Sequence, residues 1–136
     1  MTSSQGVADG LIVDASAMVD LLVGAETAGP IRQRMRGRVL HAPGHFDAEV
    51  LSAIGRLHRA GAISAKQATA RVRSLAAAPI QRHLLGSLLG EAWSRRHNLR
   101  LTDALYAALS DRLEMPIITT DESFAAATQR ALLVEP

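Results

Sequence analysis

The chain has 136 residues, 48% hydrophobic and 21% charged side chains and a mean hydropathy of +0.10, which describes an ordinary globule organised as one domain over residues 1–136. Its 15 basic and 13 acidic residues leave a net charge of only +2, and arginine supplies all but one of the bases, Lys66 being the exception. Disorder and collagen are excluded; no stretch of about 18 residues is free of charge, which excludes a transmembrane helix; and with no cysteine there is no disulfide, thiolate zinc site, iron–sulfur cluster or cysteine nucleophile.

The opening MTSSQGVADG has neither a basic region nor a long apolar run, so no signal peptide is expected and a cytoplasmic location follows. Leu11-Ile12-Val13 reads as a short buried strand that ends at Asp14. Residues 15–23 have helical spacing and stop at Gly24, and residues 26–36 read as a second helix with Gly29 and Pro30 in its first turn. Val39 and Leu40 form a strand leading into the Pro43-Gly44 turn. The spacing of Val50, Leu51, Ile54 and Leu57 predicts a helix from Phe46 to Ala60, and Ser64 caps another that runs to Ala77. Pro79 to Leu84 is ambiguous, and Leu84 to His97 reads as one helix containing Trp93. Thr102 opens a helix over Asp103 to Leu113. Ile117 to Thr120 is a strand, a short helix runs from Asp121 to Gln129, and Leu132 to Val134 is the last strand. Short strands alternating with helices specify an α/β fold with a parallel sheet covered on both faces.

In such sheets ligands bind at the carboxyl ends of the strands. Asp14 and Asp121 sit at strand ends, Asp103 follows the cap candidate Thr102, and Glu49 follows the Pro43-Gly44 turn. Singly each has a local role: Asp14 and Asp121 cap helices, Asp103 complements a helix dipole, and Glu49 is a solvated acid. Together the four carboxylates converge on one cleft, where they would repel one another. A hard divalent cation resolves that repulsion, and all-oxygen ligation selects Mg²⁺ or Mn²⁺. Sites of this kind activate water for attack on phosphorus.

These residues carry a family resemblance. Asp14-Ala15-Ser16 after the first strand, F-D-A-E-V-L-S around Glu49, T-D-A-L-Y-A-A-L from Thr102 and I-I-T-T-D-E-S-F from Ile117 resemble the PIN domain, in order and over nearly the whole chain. In particular the chain resembles a VapC toxin, the ribonuclease half of a bacterial type II toxin–antitoxin pair. The resemblance implies a PIN-like three-layer α/β/α sandwich with a short central parallel sheet. It implies Asp14, Glu49, Asp103 and Asp121 as the catalytic, metal-holding acids, supported by the hydroxyls of Ser16 and Thr119. It further implies Mg²⁺-dependent endoribonuclease activity by metal-activated water attack, a homodimer, inhibition by a cognate antitoxin, and a bacterial cytoplasmic setting. Thr102 stands where the family often has tyrosine. The alternatives are a PIN fold that only binds, against which the intact acid quartet argues, and a PIN nuclease of RNA processing.

The remaining features have competing readings. Arg32, Arg34, Arg36 and Arg38 form an R-Q-R-M-R-G-R run: a solvated helix end, or a contact through Arg34, Arg36 and Arg38 to the RNA backbone. An arginine excess beside 24 alanines is equally the mark of a GC-rich genome. Leu84, Leu85, Leu88, Leu89, Ala92 and Trp93 form a stripe expected in the core with an interface edge. Asp47 lies two residues before Glu49, so the two acids point apart on a helix. No H-E-x-x-H zinc motif, phosphate-binding G-x-x-x-x-G-K loop or G-x-G-x-x-G occurs.

Overall fold

The apolar GLIV segment forms strand β1 (Gly10–Val13), buried along its length in the computed structural model, which describes residues 9–136. The first eight residues, and with them most of the stretch searched for a signal peptide, lie outside that range. Helix α1 (Ala15–Val23) starts from Asp14 and ends at Gly24, whose φ of 72° is a left-handed conformation that disfavours any residue with a Cβ. Then follow α2 (Ala28–Met35), β2 (Val39–Pro43), α3 (Phe46–Arg59), α4 (Ala65–Ala77), β3 (Ile80–His83), α5 (Leu89–Ser94), α6 (Leu101–Leu113), β4 (Ile117–Thr119), α7 (Glu122–Ala127) and β5 (Ala131–Leu133). A reciprocal capping box between Ser64 and Gln67 opens α4.

The five strands form one wholly parallel sheet in the order β3-β2-β1-β4-β5. The chain moves outward from β1 to β2 to β3, then jumps back across the sheet to β4 and β5. Right-handed crossovers therefore place α1 to α4 on one face and α5 to α7 on the other, which makes three layers. The reversal occurs between β1 and β4, so the crevice beyond their carboxyl ends is the topological switch point, where ligands of such sheets bind. The core on both faces is closed by Ile12, Ile31, Phe46, Ile54, Leu109 and Ile117, all essentially inaccessible. Burying one side chain of that size contributes about 1.5–3 kcal/mol. Among the described residues no helix is long and apolar enough to cross a membrane.

Several elements differ from the reading of the sequence. The ambiguous segment before Leu84 is strand β3, paired in parallel with β2. The expected helix from Leu84 to His97 does not form as one piece: a single 3₁₀ turn at Gly86–Leu88 precedes the short α5. Gly86 and Gly90 weaken helix propensity there, and the Ser87 carbonyl accepts instead from Arg112 at 2.8 Å. The stripe is split accordingly. Leu88 and Ala92 are buried, whereas Leu84 is 89% exposed and Trp93 57%. Helix α6 starts at Leu101, with Arg100 in the N-cap position, so Thr102 lies inside the first turn instead of capping it.

The arginine run leaves α2 at Met35 and reaches β2 at Val39, at the amino end of the sheet. Arg38 donates there to the carbonyls of Asp9 (2.9 Å) and Gly10 (3.1 Å). Gly10 and Asp14 are four steps apart along the strand, about 13 Å at the usual rise. The fold does not bring Arg34, Arg36 and Arg38 to the carboxyl-end crevice.

Candidate active site

Asp14 leaves β1 and caps α1. Its Oδ1 accepts from the Ala17 backbone N–H at 3.0 Å and from the Ser16 hydroxyl at 2.7 Å, and its Oδ2 accepts from the Thr119 hydroxyl at 2.6 Å. Thr119 ends the neighbouring strand β4, and its Oγ1 also accepts from the Asp121 N–H at 3.0 Å. Ser16 Oγ in turn accepts from the Thr120 N–H at 3.1 Å. Ser16 and Thr119 thus lace the ends of the two switch-point strands together, each touching Asp14. Asp14 itself is buried, and burial pushes its carboxyl up to about 6 against the lowering by Ser16, Thr119 and Ala17; the charge of Asp121 adds to the rise. Asp121 caps α7 by accepting from the Phe124 N–H at 3.1 Å.

The other two acids arrive on helices from opposite faces of the sheet. Glu49 stands in the first turn of α3 and accepts from the Tyr106 hydroxyl at 2.8 Å. Tyr106 lies on α6 one turn after Asp103, is buried against His45 and Phe124, and its hydroxyl is pushed well above the ordinary tyrosine value by burial, with the charge of Glu49 and their hydrogen bond adding. His45 precedes α3, and its Nε2 bonds to the Thr102 carbonyl at 2.8 Å, which fixes Nε2 as the protonated nitrogen in the neutral ring. The same Nε2 is 3.6 Å from Glu49. Asp103 accepts from Arg100 Nε at 3.1 Å.

Tyr106, His45 and Arg100 escaped the reading of the sequence. The signal was spacing: each lies three or four residues from an acid on the same helical register, Arg100 and Tyr106 from Asp103, His45 from Glu49. Asp47, as expected, points away from Glu49, and both its oxygens accept from Arg82 at 3.0–3.1 Å.

Two cavities flank the acids. One of about 620 Å³ is lined by Ser16, Asp20, His45, Glu49, Arg56 and Arg100. The other, about 420 Å³, is lined by Asn98, Arg100, Asp103, Asp121, Ser123 and Phe124. Arg100 borders both, so the two cavities adjoin at its side chain as the halves of a groove that Arg100 interrupts, and buried Asp14 lines neither. Among the described residues no three aspartate, glutamate or histidine side chains are drawn together as a metal cage. Glu49 is turned to Tyr106 and Asp103 to Arg100. The donors are nonetheless all hard oxygens, and their charges act on shared neighbours: Glu49 and Asp14 both raise Tyr106, and Asp103, Asp121 and Glu49 all raise Arg100. In kind and neighbourhood the set suits a hard divalent cation.

A family model for the PIN domain matches residues 11–129. The chain is 50% identical over 118 residues to Ribonuclease VapC3 of Mycobacterium tuberculosis, covering 86% of each chain, and 37% identical over 121 residues to Ribonuclease VapC1 of the same organism, covering 88% and 91%. Among solved structures the fold matches Mycobacterium tuberculosis VapC20, described as a sarcin–ricin loop cleaving toxin, with TM-score 0.67 and 18% identity over 93% of this chain and 99% of that one. A toxin–antitoxin complex from Klebsiella pneumoniae matches with TM-score 0.67 and 15% identity over 90% and 95%. The sandwich, the acid-lined switch point and these relatives agree: the chain belongs to the PIN-domain family, among the VapC-type ribonucleases.

Proposed function

We propose that the chain is the toxin of a type II toxin–antitoxin pair in the bacterial cytoplasm, a homodimeric endoribonuclease that requires Mg²⁺ or Mn²⁺ and is silenced by a cognate antitoxin. The observation that carries this reading is that Glu49 lines one of two cavities that adjoin at Arg100, Asp103 and Asp121 line the other, and Asp14 is buried at the end of β1 within electrostatic reach of Asp121. The toxin role rests on the relatives' names, and the homodimer is supported by the exposed apolar side chains of Leu89, Trp93 and Leu101, which line one apolar depression.

Asp14, Asp103 and Asp121 would hold the cation, with Glu49 beside them. When bound, such an ion lowers the pKa of water and offsets the charge of the phosphate. The chain's own groups do the rest. Ser16 and Thr119 hold Asp14 rigid at both oxygens, so its carboxylate stays aimed without entropy lost on binding. Tyr106 fixes Glu49, which is placed to orient a water or receive its proton. Arg56 lines the larger half of the groove, and its side chain makes no hydrogen bond or ion pair among the described residues. It takes the role of phosphate contact in place of Arg34, Arg36 and Arg38, which sit at the other end of the sheet. In-line attack by water breaks the bond to the 3′-oxygen and leaves a 5′-phosphate and a 3′-hydroxyl, with no use of the 2′-hydroxyl. An acidic groove of this kind also accepts a basic side chain from an antitoxin.

Incubation of single-stranded RNA with the protein in Mg²⁺ and in EDTA tests the reading. Cleavage in Mg²⁺ alone, with 5′-phosphate ends, is expected. Cleavage that survives thorough chelation, or ends carrying a 2′,3′-cyclic phosphate, refutes it.

A further inference from the structure

We infer that Arg100 is an exchangeable counter-ion: it neutralises the acid cluster while no divalent cation is bound, and turns to an RNA phosphate when one is. The inference rests on the metal reading above. Arg100 lies in the N-cap position of α6, three residues before Asp103, and is the one residue that borders both halves of the groove. Its Nε donates to Asp103 Oδ2 at 3.1 Å, and this is its only side-chain hydrogen bond among the described residues. Both terminal nitrogens are therefore uncommitted, in a side chain that is 76% exposed.

The guanidinium also feels more of the cluster than its one partner. It is pushed above the ordinary arginine value first by Asp103, through the hydrogen bond and the charge, and then by Asp121 and Glu49. Three of the four acids thus act on this single cation. An exposed ion pair of this geometry is weak and freely exchanged. A divalent cation that claims Asp103 carries twice the charge and takes the carboxylate, and it repels the guanidinium that held it. The displaced side chain stays tethered at the rim of the groove, where a backbone phosphate would lie, and a guanidinium suits a phosphate as well as it suits a carboxylate. Arg56 cannot play this part, since it lines the same groove but pairs with none of the acids. Arg100 thus makes metal and RNA binding cooperative: the residue that competes with one ligand is released to recruit the other.

Mn²⁺ binding, followed by electron paramagnetic resonance without RNA, tests the first half. Arg100→Gln is expected to bind Mn²⁺ about fivefold more tightly, the effect of removing one exposed ion pair, whereas Arg100→Lys stays within about twofold of the wild type. Fluorescence anisotropy with single-stranded RNA tests the second half: Arg100→Gln should bind about fivefold more weakly than the wild type in Ca²⁺ and lose clearly less, about twofold, in EDTA, where only its screening of the acids is removed. Unchanged or weaker Mn²⁺ binding by Arg100→Gln, in a wild type that binds the ion, overturns this inference alone. An equal loss of RNA affinity in EDTA and in Ca²⁺ also overturns it, since Arg100 would then be a permanent phosphate contact. A wild type that binds no Mn²⁺ overturns the metal reading and this inference with it.

Discussion

Asp14→Asn should make the metal-free protein more stable at neutral pH, by an amount that depends on pH in a definite way. Burial pushes the Asp14 carboxyl from its ordinary 3.8 to about 6. Between those values the folded chain keeps a proton that the unfolded chain has released, so stability falls as pH rises through the window. Above pH 6 the full penalty is present: a carboxyl raised across about two pH units, at about 1.36 kcal/mol for each, costs roughly 3 kcal/mol. Asparagine has the same shape and no charge to bury. It still accepts from the Ala17 N–H, but it handles the two hydroxyls less well, a loss of about 1 kcal/mol. The net gain is then about 2 kcal/mol at pH 7.5, worth roughly 6–10 °C in Tm for a chain of this size. Below pH 4 the gain vanishes and the variant is marginally weaker. Urea unfolding of both proteins in EDTA at pH 4, 5.5 and 7.5 measures the difference, from which the titrating groups that do not feel the Asp14 charge cancel. A stability gap that is independent of pH, or a wild type more stable than the variant at pH 7.5, would refute the burial argument.

Three further outcomes follow from the geometry. His41 and His83 stack with ring nitrogens 2.9 Å apart, and burial lowers both from the ordinary histidine value; falling pH therefore protonates the unfolded chain first, stability drops below about pH 6.5, and His83→Gln should flatten that acid limb in urea titrations from pH 7 to 5. Arg56→Gln should raise KM with kcat nearly kept and reduce the salt slope of RNA binding by about 0.7, while Gln at Arg34, Arg36 and Arg38 together leaves both unchanged; the reverse pattern in anisotropy titrations would return the RNA contact to the arginine run. Tyr106→Phe keeps the ring packed on His45 and Phe124 but frees Glu49, so steady-state kinetics should show kcat falling about tenfold with Tm nearly unchanged.

How much of this was legible in the sequence depends on the reach of each signal. A short apolar run that stops at an acid is local information, so Asp14 and Asp121 could be placed at strand ends before any fold was known. The contact of Glu49 with Tyr106, one turn after Asp103, was not local: it requires two helices from opposite faces of the sheet to meet, and only the order of the four motifs implied it. Charge runs carry still less, because a solvated arginine looks the same at either end of a strand; α2 returns the chain to the amino end, and Arg38 is spent there on the carbonyls of Asp9 and Gly10. Apolar periodicity likewise cannot tell a core from a surface, and the stripe from Leu84 to Trp93 divides into buried Leu88 and Ala92 and exposed Leu84, Leu89 and Trp93.

The fold shows Asp14 and Asp121 as helix caps, and capping is compatible with the function proposed for them. A helix that starts directly after a switch-point strand needs an acceptor at its N-cap, and a carboxylate that supplies it is thereby fixed over the crevice. Asp14 spends Oδ1 on α1 and places Oδ2 against Thr119, while Asp121 spends Oδ1 on α7 and keeps Oδ2 without a partner among the described residues. Serine could cap α1 equally well, as Ser64 caps α4. What serine could not supply is a second oxygen carrying charge. The cost of burying that charge at Asp14 is one that capping alone does not explain, and the proposed cation site would account for it.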